Sequence, residues 1–149
     1  MSTHINFIPI NIAVVTISDT RVLDNDKSGD VLEKRVIKSN HKLISREIVK
    51  DDFDKISQLF LNLINNKKID VIISTGGTGL TGKDITPEVM KTLFEKTIDG
   101  FGEMFRWLSY SKIGTSALQS RALAGVSNGT YIFCLPGSPS ACRDGWDQI

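Results

Sequence analysis

The stretch Val71-Ile72-Ile73-Ser74-Thr75-Gly76-Gly77-Thr78-Gly79-Leu80-Thr81-Gly82-Lys83-Asp84 decides the fold. Val71 to Ser74 is an apolar run too short for a helix and too continuous for a strand wet on one face, so it reads as a buried strand. Four glycines follow at 76, 77, 79 and 82. Without a Cβ they let the backbone approach a ligand and aim several amides at one anion, with the hydroxyls of Thr75, Thr78 and Thr81 as further donors. A turn built of small residues is the plainer reading, but a turn alone does not require so many glycines.

Upstream, Ile10 to Ile17 is a second apolar run, rich in β-branched residues, after a loose leader over residues 1–9. A polar loop over 19–27 leads to a helix from Ser28 to about Asn40, with Val31, Leu32, Val36 and Ile37 facing inward. Leu43 to Val49 is less apolar and suits a strand nearer an edge. Phe53, Ile56, Phe60, Leu63 and Ile64 recur at helical spacing behind an aspartate cap. Downstream, Thr86-Pro87-Glu88 starts a helix reaching about Lys96, with Thr86 as cap and Pro87 in the first turn. Further helices are expected from about Gly102 to Ser111 and from about Ser116 to Leu123. Asn128-Gly129 has the residue types of a two-residue hairpin turn, and Ser138-Pro139 opens a last helix. The alternation predicts an α/β fold: a mostly parallel sheet with helices on both faces and a small antiparallel hairpin near one edge.

The rest of the composition narrows the function by exclusion. The 149 residues suit one domain. Lys and Arg total 18 against 17 Asp and Glu, scattered rather than massed, which argues against nucleic acid or a membrane surface as partner. The start Met1 to Asn6 carries no basic stretch followed by an apolar run, and no segment has the length of a membrane span, so a cytoplasmic location is expected. Cys134 and Cys142 form no CxxC pair and read as reduced bystanders. Nothing singles out His4 or His41. Glu103 and Arg106 read as a surface pair, and Arg121 as a surface residue.

In open parallel sheets, ligands bind where loops leave the carboxyl ends of the strands. Besides the glycine loop, Ser18 and Asp19 follow the first strand. Pro136, Gly137 and Ser138 lead into a helix N-terminus of the kind that favours anions. Asp51 and Asp84 follow strands at the same end, and a carboxylate pair there could hold hydrated Mg²⁺ between phosphates. Taken singly, Asp51 could merely cap a helix and Asp84 sit in a solvated loop. Gly77 to Lys83 satisfies the GxxxxGK half of a P-loop, but the next residue is Asp84 rather than Ser or Thr, and helix signals begin only at Thr86. The match reads as coincidental.

Ile12 to Asp19, Ser74 to Gly79, Asp84 to Glu88, Gly100 to Glu103 and Leu135 to Pro139 together resemble the molybdenum cofactor biosynthesis proteins of the MoaB and MogA type, related to the G domains of gephyrin and of the plant cofactor protein. The segments Phe105 to Ser109, Ile113 to Ser116 and Gln119 to Ala122 look closer to MoaB. The resemblance implies a molybdopterin-binding domain over residues 1–149, and adenylylation of molybdopterin by ATP with Mg²⁺ and release of pyrophosphate. It makes Asp51 and Asp84 the functionally important aspartates and metal holders. It places Thr75, Gly76, Gly77, Thr78, Gly79, Ser18, Asp19, Pro136, Gly137 and Ser138 around the phosphates, with Glu103 and Ser109 as lesser members of the site. It further implies a homo-oligomer, trimeric or hexameric, working with other proteins of the cofactor pathway. Some MoaB-type proteins that lack activity carry Glu in place of the first aspartate; this chain keeps Asp51. Family members continue beyond the helix starting at Ser138, so the chain is expected to be shortened there. A catalytically inactive molybdopterin-binding or scaffold protein is the alternative, and a P-loop nucleoside triphosphatase a third.

Overall fold

A computed structural model describes residues 5–149; His4 and the first four positions of the expected leader lie outside the described residues. The elements run β1 (Asn11–Ile17), α1 (Lys27–Lys38), β2 (Lys42–Val49), α2 (Phe53–Asn65), β3 (Val71–Thr75), α3 (Thr86–Leu93), β4 (Lys96–Thr97), α4 (Asp99–Ile113), β5 (Leu123–Ser127), β6 (Thr130–Leu135) and α5 (Pro139–Gln148). They form one sheet in the order β2-β1-β3-β6-β5-β4. β1 pairs in parallel with β2 and β3, and β3 with β6. β5 runs antiparallel to β6 and to β4. The expected fold class is thus the observed one, with β2 at the edge and the hairpin on the far side.

The apolar runs follow from burial on both faces. Ala13, Val15 and Ile17 of β1 pack with Ile56 and Phe60 of α2 and Val89 and Met90 of α3. Ile12 and Val14 point the other way, to Leu32 and Val36 of α1, Phe101 and Phe105 of α4, and Cys142 of α5. Alternate residues of one strand therefore fill two cores, leaving no wet face to demand polar residues. The hairpin turn has Asn128 at φ 49° and Gly129 at φ 77°, the left-handed pair that a tight two-residue connection needs. Ser138 caps α5 by accepting from the Ala141 amide at 3.1 Å.

Several local expectations are corrected. Residues 116–123 are not one α-helix. A 3-10 segment covers Gly114–Gln119 and the chain then extends into β5, because the Arg121 amide bonds to the Thr78 carbonyl and Leu123 to Ser127 pair with β6, tertiary contacts that outweigh local helical propensity. α3 ends at Leu93 rather than Lys96, which instead lies in β4 and pairs with Val126 of β5. Ile37 faces solvent. Thr86 does not cap α3, since its hydroxyl is buried and donates to the Gly76 carbonyl at 3.0 Å. Arg106 makes no surface pair with Glu103; it donates to the carbonyls of Ser120 and Ala122.

Candidate functional site

The chain leaves β1 toward β2 on one side and returns to β3 on the other, so a crevice opens between the carboxyl ends of β1 and β3. A cleft of about 680 Å³ lies there. It is lined by Ser18 after β1, Asp51 after β2, Thr75 to Gly79 and Asp84 after β3, and Pro136 to Ser138 after β6. Four loops separated widely in sequence thus meet over one end of the sheet, as the parallel arrangement requires.

The cradle is made of backbone. Gly76 and Gly77 have φ of +107° and +72°, values that side-chain-bearing residues rarely adopt. A Cβ on Gly76 would stand 2.2 Å from the Ile17 carbonyl oxygen. The Gly76 amide donates to the Leu135 carbonyl, and the Gly77 carbonyl accepts from Thr86. Thr75 is fully buried and donates its hydroxyl to the Pro136 carbonyl at 2.9 Å. That hydroxyl therefore ties two loops together rather than facing a ligand.

The carboxylates occupy contrasting settings. Asp51 is not the helix cap: Asp52 is, accepting from the Lys55 amide. Asp51 is thereby left to the cleft. Burial, then the negative charges of Asp19 and Asp84, push its carboxyl above the usual range. Asp84 is partly buried, which opposes ionisation, but the hydroxyl and amide of Thr81, the Gly79 amide and the charge of Arg121 together hold it below that range. Its Oδ2 accepts from Thr81 Oγ1 at 2.7 Å and Thr81 N at 2.9 Å. Asp19 accepts from the Asp51 amide and faces Lys83 Nζ at 3.3 Å. The Asp51 amide first, with Lys83 assisting against desolvation, lowers its pKa.

Three acidic groups near one another, one of them reluctant to ionise, make a setting that a cation would relieve. Among the described residues no three metal-ligating side chains converge. A hard ion such as Mg²⁺, which is held by one or two carboxylates and completed by water and phosphate oxygens, fits that donor set.

Of the expected site residues, Ser109 lies on the cleft wall contributed by α4, whereas Glu103 is exposed on α4 and does not line it. Lys83 lies on the rim in a loop, and α3 starts only at Thr86, so the P-loop geometry is absent. Sequence reasoning missed the floor and the far wall. Asp26, 1% exposed, caps α1 through the Gly29 amide, accepts from Thr16 Oγ1 at 2.6 Å and pairs with Arg46. Its position three residues before Gly29, at a helix start, was the available signal. Lys112 of α4 pairs with Asp144 of α5 at the other end of the cleft. Burial pushes the thiols of Cys134 and Cys142 up to about 12 and about 11, which keeps both protonated and inert.

A glycine cradle and two carboxylates lining one cleft over the switch point of a largely parallel sheet define a small-molecule-binding α/β domain. Residues 13–149 match the family described as probable molybdopterin binding domain, and the chain belongs to it. It is 44% identical over 143 residues to molybdenum cofactor biosynthesis protein B of Escherichia coli K12, covering 96% of this chain and 84% of that protein. It is 40% identical to the probable molybdopterin adenylyltransferase of Methanocaldococcus jannaschii, covering 90% and 83%. A crystal structure of molybdenum cofactor biosynthesis protein B superposes with a TM-score of 0.92 at 41% identity, over 95% of this chain and 89% of that one. The likeness to the MoaB branch is that expected from Phe105 to Ser109 and Gln119 to Ala122.

Proposed function

We propose that this chain, as one molybdopterin-binding domain, adenylylates molybdopterin with ATP in the biosynthesis of the molybdenum cofactor. The observation that carries this reading is that Asp51 and Asp84, from loops after different strands, face the same cleft as the Gly76–Gly79 cradle. In the reaction an oxygen of the pterin's terminal phosphate bonds to the α-phosphorus of ATP. The bond from that phosphorus to the bridging oxygen breaks, and pyrophosphate leaves. The attacking phosphate is already an anion at neutral pH, so the protein needs no strong base; it must hold two polyanions in line and offset their charge.

The Gly77 and Thr78 amides and the N-terminus of α5 suit the phosphates, the Gly76 and Gly79 amides being bound to Leu135 and Asp84. Asp51 and Asp84 would hold Mg²⁺, which supplies charge neutralisation at the phosphoryl oxygens. Ser18, Gly137 and Ser138 border the phosphates, and Asp19 fixes the Asp51 backbone. Ser109 belongs to the opposite wall. Among the described residues no helix is long and apolar enough to cross a membrane, consistent with work in the cytoplasm. Met104, Trp107, Tyr110 and Ile113 of α4, with Leu118 beyond it, are exposed. Apolar area of this kind favours assembly with further copies, in a trimer or hexamer, alongside other proteins of the pathway.

The test is incubation of the purified protein with molybdopterin, ATP and Mg²⁺. Adenylyl-molybdopterin and pyrophosphate are expected in equal amounts, and Asp51→Ala or Asp84→Ala should abolish both. Retention of the pterin with no pyrophosphate released would instead identify a binding or scaffold protein.

A further inference from the structure

Arg121 reads from sequence as a surface residue, yet its side chain is a quarter exposed and turned inward across the glycine loop. Its Nε donates to the Gly79 carbonyl at 2.8 Å and one terminal nitrogen to the Asp84 carbonyl at 2.7 Å. The other terminal nitrogen pairs with Glu88 in the first turn of α3. Its backbone amide donates to the Thr78 carbonyl at 3.1 Å. One residue thus grips the loop at Thr78, Gly79 and Asp84, and Glu88 fixes the plane of the guanidinium.

We infer that Arg121 is the positioning residue of the cleft, a clamp that sets the Thr78–Asp84 segment, and with it the Asp84 carboxylate, against the substrate phosphates. The segment needs such a clamp. Between β3 and α3 it runs without helix or strand, and Leu80, Thr81, Gly82 and Lys83 are all exposed, so little packing holds it. A planar fork reaching two carbonyls while a third partner holds its plane is a task that guanidinium performs and ammonium does not. Arg121 also directly follows Ser120, which lines the cleft. The clamp therefore joins the glycine loop to the wall that the 3-10 segment contributes. It is not a catalytic residue, because its nitrogens are spent on carbonyls and Glu88.

The inference rests on the adenylyl-transfer reading and can fail separately from it. Arg121→Gln and Arg121→Lys are compared with the parent protein in three measurements: melting temperature, hydrogen exchange by mass spectrometry of peptides over 76–86 with Lys42–Val49 as reference, and steady-state adenylylation. Expected for Arg121→Gln are faster exchange over 76–86 with the reference strand unchanged, and kcat lower by about 10- to 100-fold with KM for ATP kept within about threefold. Arg121→Lys, reaching one carbonyl at a time, should recover only part of the rate. A melting loss accompanied by faster exchange everywhere would make Arg121 a structural residue and overturn the proposal. So would a loosened loop with unchanged kcat, or full recovery by Lys. If Arg121→Gln does not fold, Arg121→Lys is decided by the same readings. Absence of turnover in the parent protein would overturn the adenylyl-transfer reading and this role with it, whereas an active parent with unaffected variants would overturn this role alone.

Discussion

The backbone amide of Asp51 donates to the carboxylate of Asp19 at 3.1 Å, so the group that fixes Asp51 in place is also a negative charge beside it. The same contact that lowers the pKa of Asp19 sits next to a carboxyl whose pKa is raised by burial, by Asp19 and by Asp84. The end of β2 therefore holds Asp51 at an energetic disadvantage when it is ionised and no cation is near.

Asp51→Asn should stabilise the protein while abolishing turnover. A carboxyl whose folded pKa lies above its ordinary value of 3.8 contributes stability only below that value, and the contribution is lost as pH rises through the folded pKa. At pH 7 ionised Asp51 is a burden that Asn removes. A melting temperature higher by roughly 1–4 °C is expected, with the gain vanishing below the ordinary carboxylate range. Calorimetry at pH 7 and at low pH checks this; a loss of stability at pH 7 would contradict it.

Asp19→Asn keeps an oxygen for the Asp51 amide but deletes the charge. Asp51 should then ionise at lower pH, and the acid limb of the adenylylation rate should move downward in pH. An acid limb that stays in place would separate Asp51 from the pH dependence.

Gly76→Ala is expected to destabilise by roughly 2–4 kcal/mol, since its positive φ and the approach of the Ile17 carbonyl both exclude a Cβ. Urea unfolding measures it. Gly82→Ala, where the added methyl meets nothing within 4 Å, serves as control and should change stability by less than about 1 kcal/mol.

Lys83→Ala should reduce turnover less than about fivefold, because Lys83 is exposed on the rim and its described ion pair is with Asp19. A P-loop lysine, by contrast, would be indispensable for phosphate binding. Complete loss of activity on this substitution would revive the P-loop reading.

The sheet was legible because β1 and β3 are buried on both sides, which leaves a run of apolar β-branched residues that no surface element tolerates. The glycine loop was legible because its backbone conformation excludes a Cβ, and the glycines that permit this are visible one by one. Arg121 was not, and of Asp26 only the capping role was. Arg121 meets Gly79 across 42 positions and Asp84 across 37, and nothing local distinguishes an inward guanidinium from a solvated one. Asp26 faces Thr16 and Arg46 only because β1, α1 and β2 converge there. The helix expected over 116–123 fails for the same reason, since Arg121 is drawn to the glycine loop and the residues from Leu123 onward to β6.

Where Gly76 and Gly137 form it, the floor of the cleft has no side-chain thickness. A Cβ on Gly76 would meet Ile17, and one on Gly137 would come within 3.3 Å of the Gly76 Cα, so three strand ends touch through bare backbone. A side chain at Gly76 would press on the end of β1, and one at Gly137 on the loop that follows β3. The freedom to acquire a different substrate lies instead with the outer wall, where Ser109, Lys112, Ser116 and Asp144 project from α4, the 3-10 segment and α5. A selection experiment for altered pterin or nucleotide preference should therefore return substitutions from that wall and leave the floor untouched, making the cleft a fixed anvil with an exchangeable jaw.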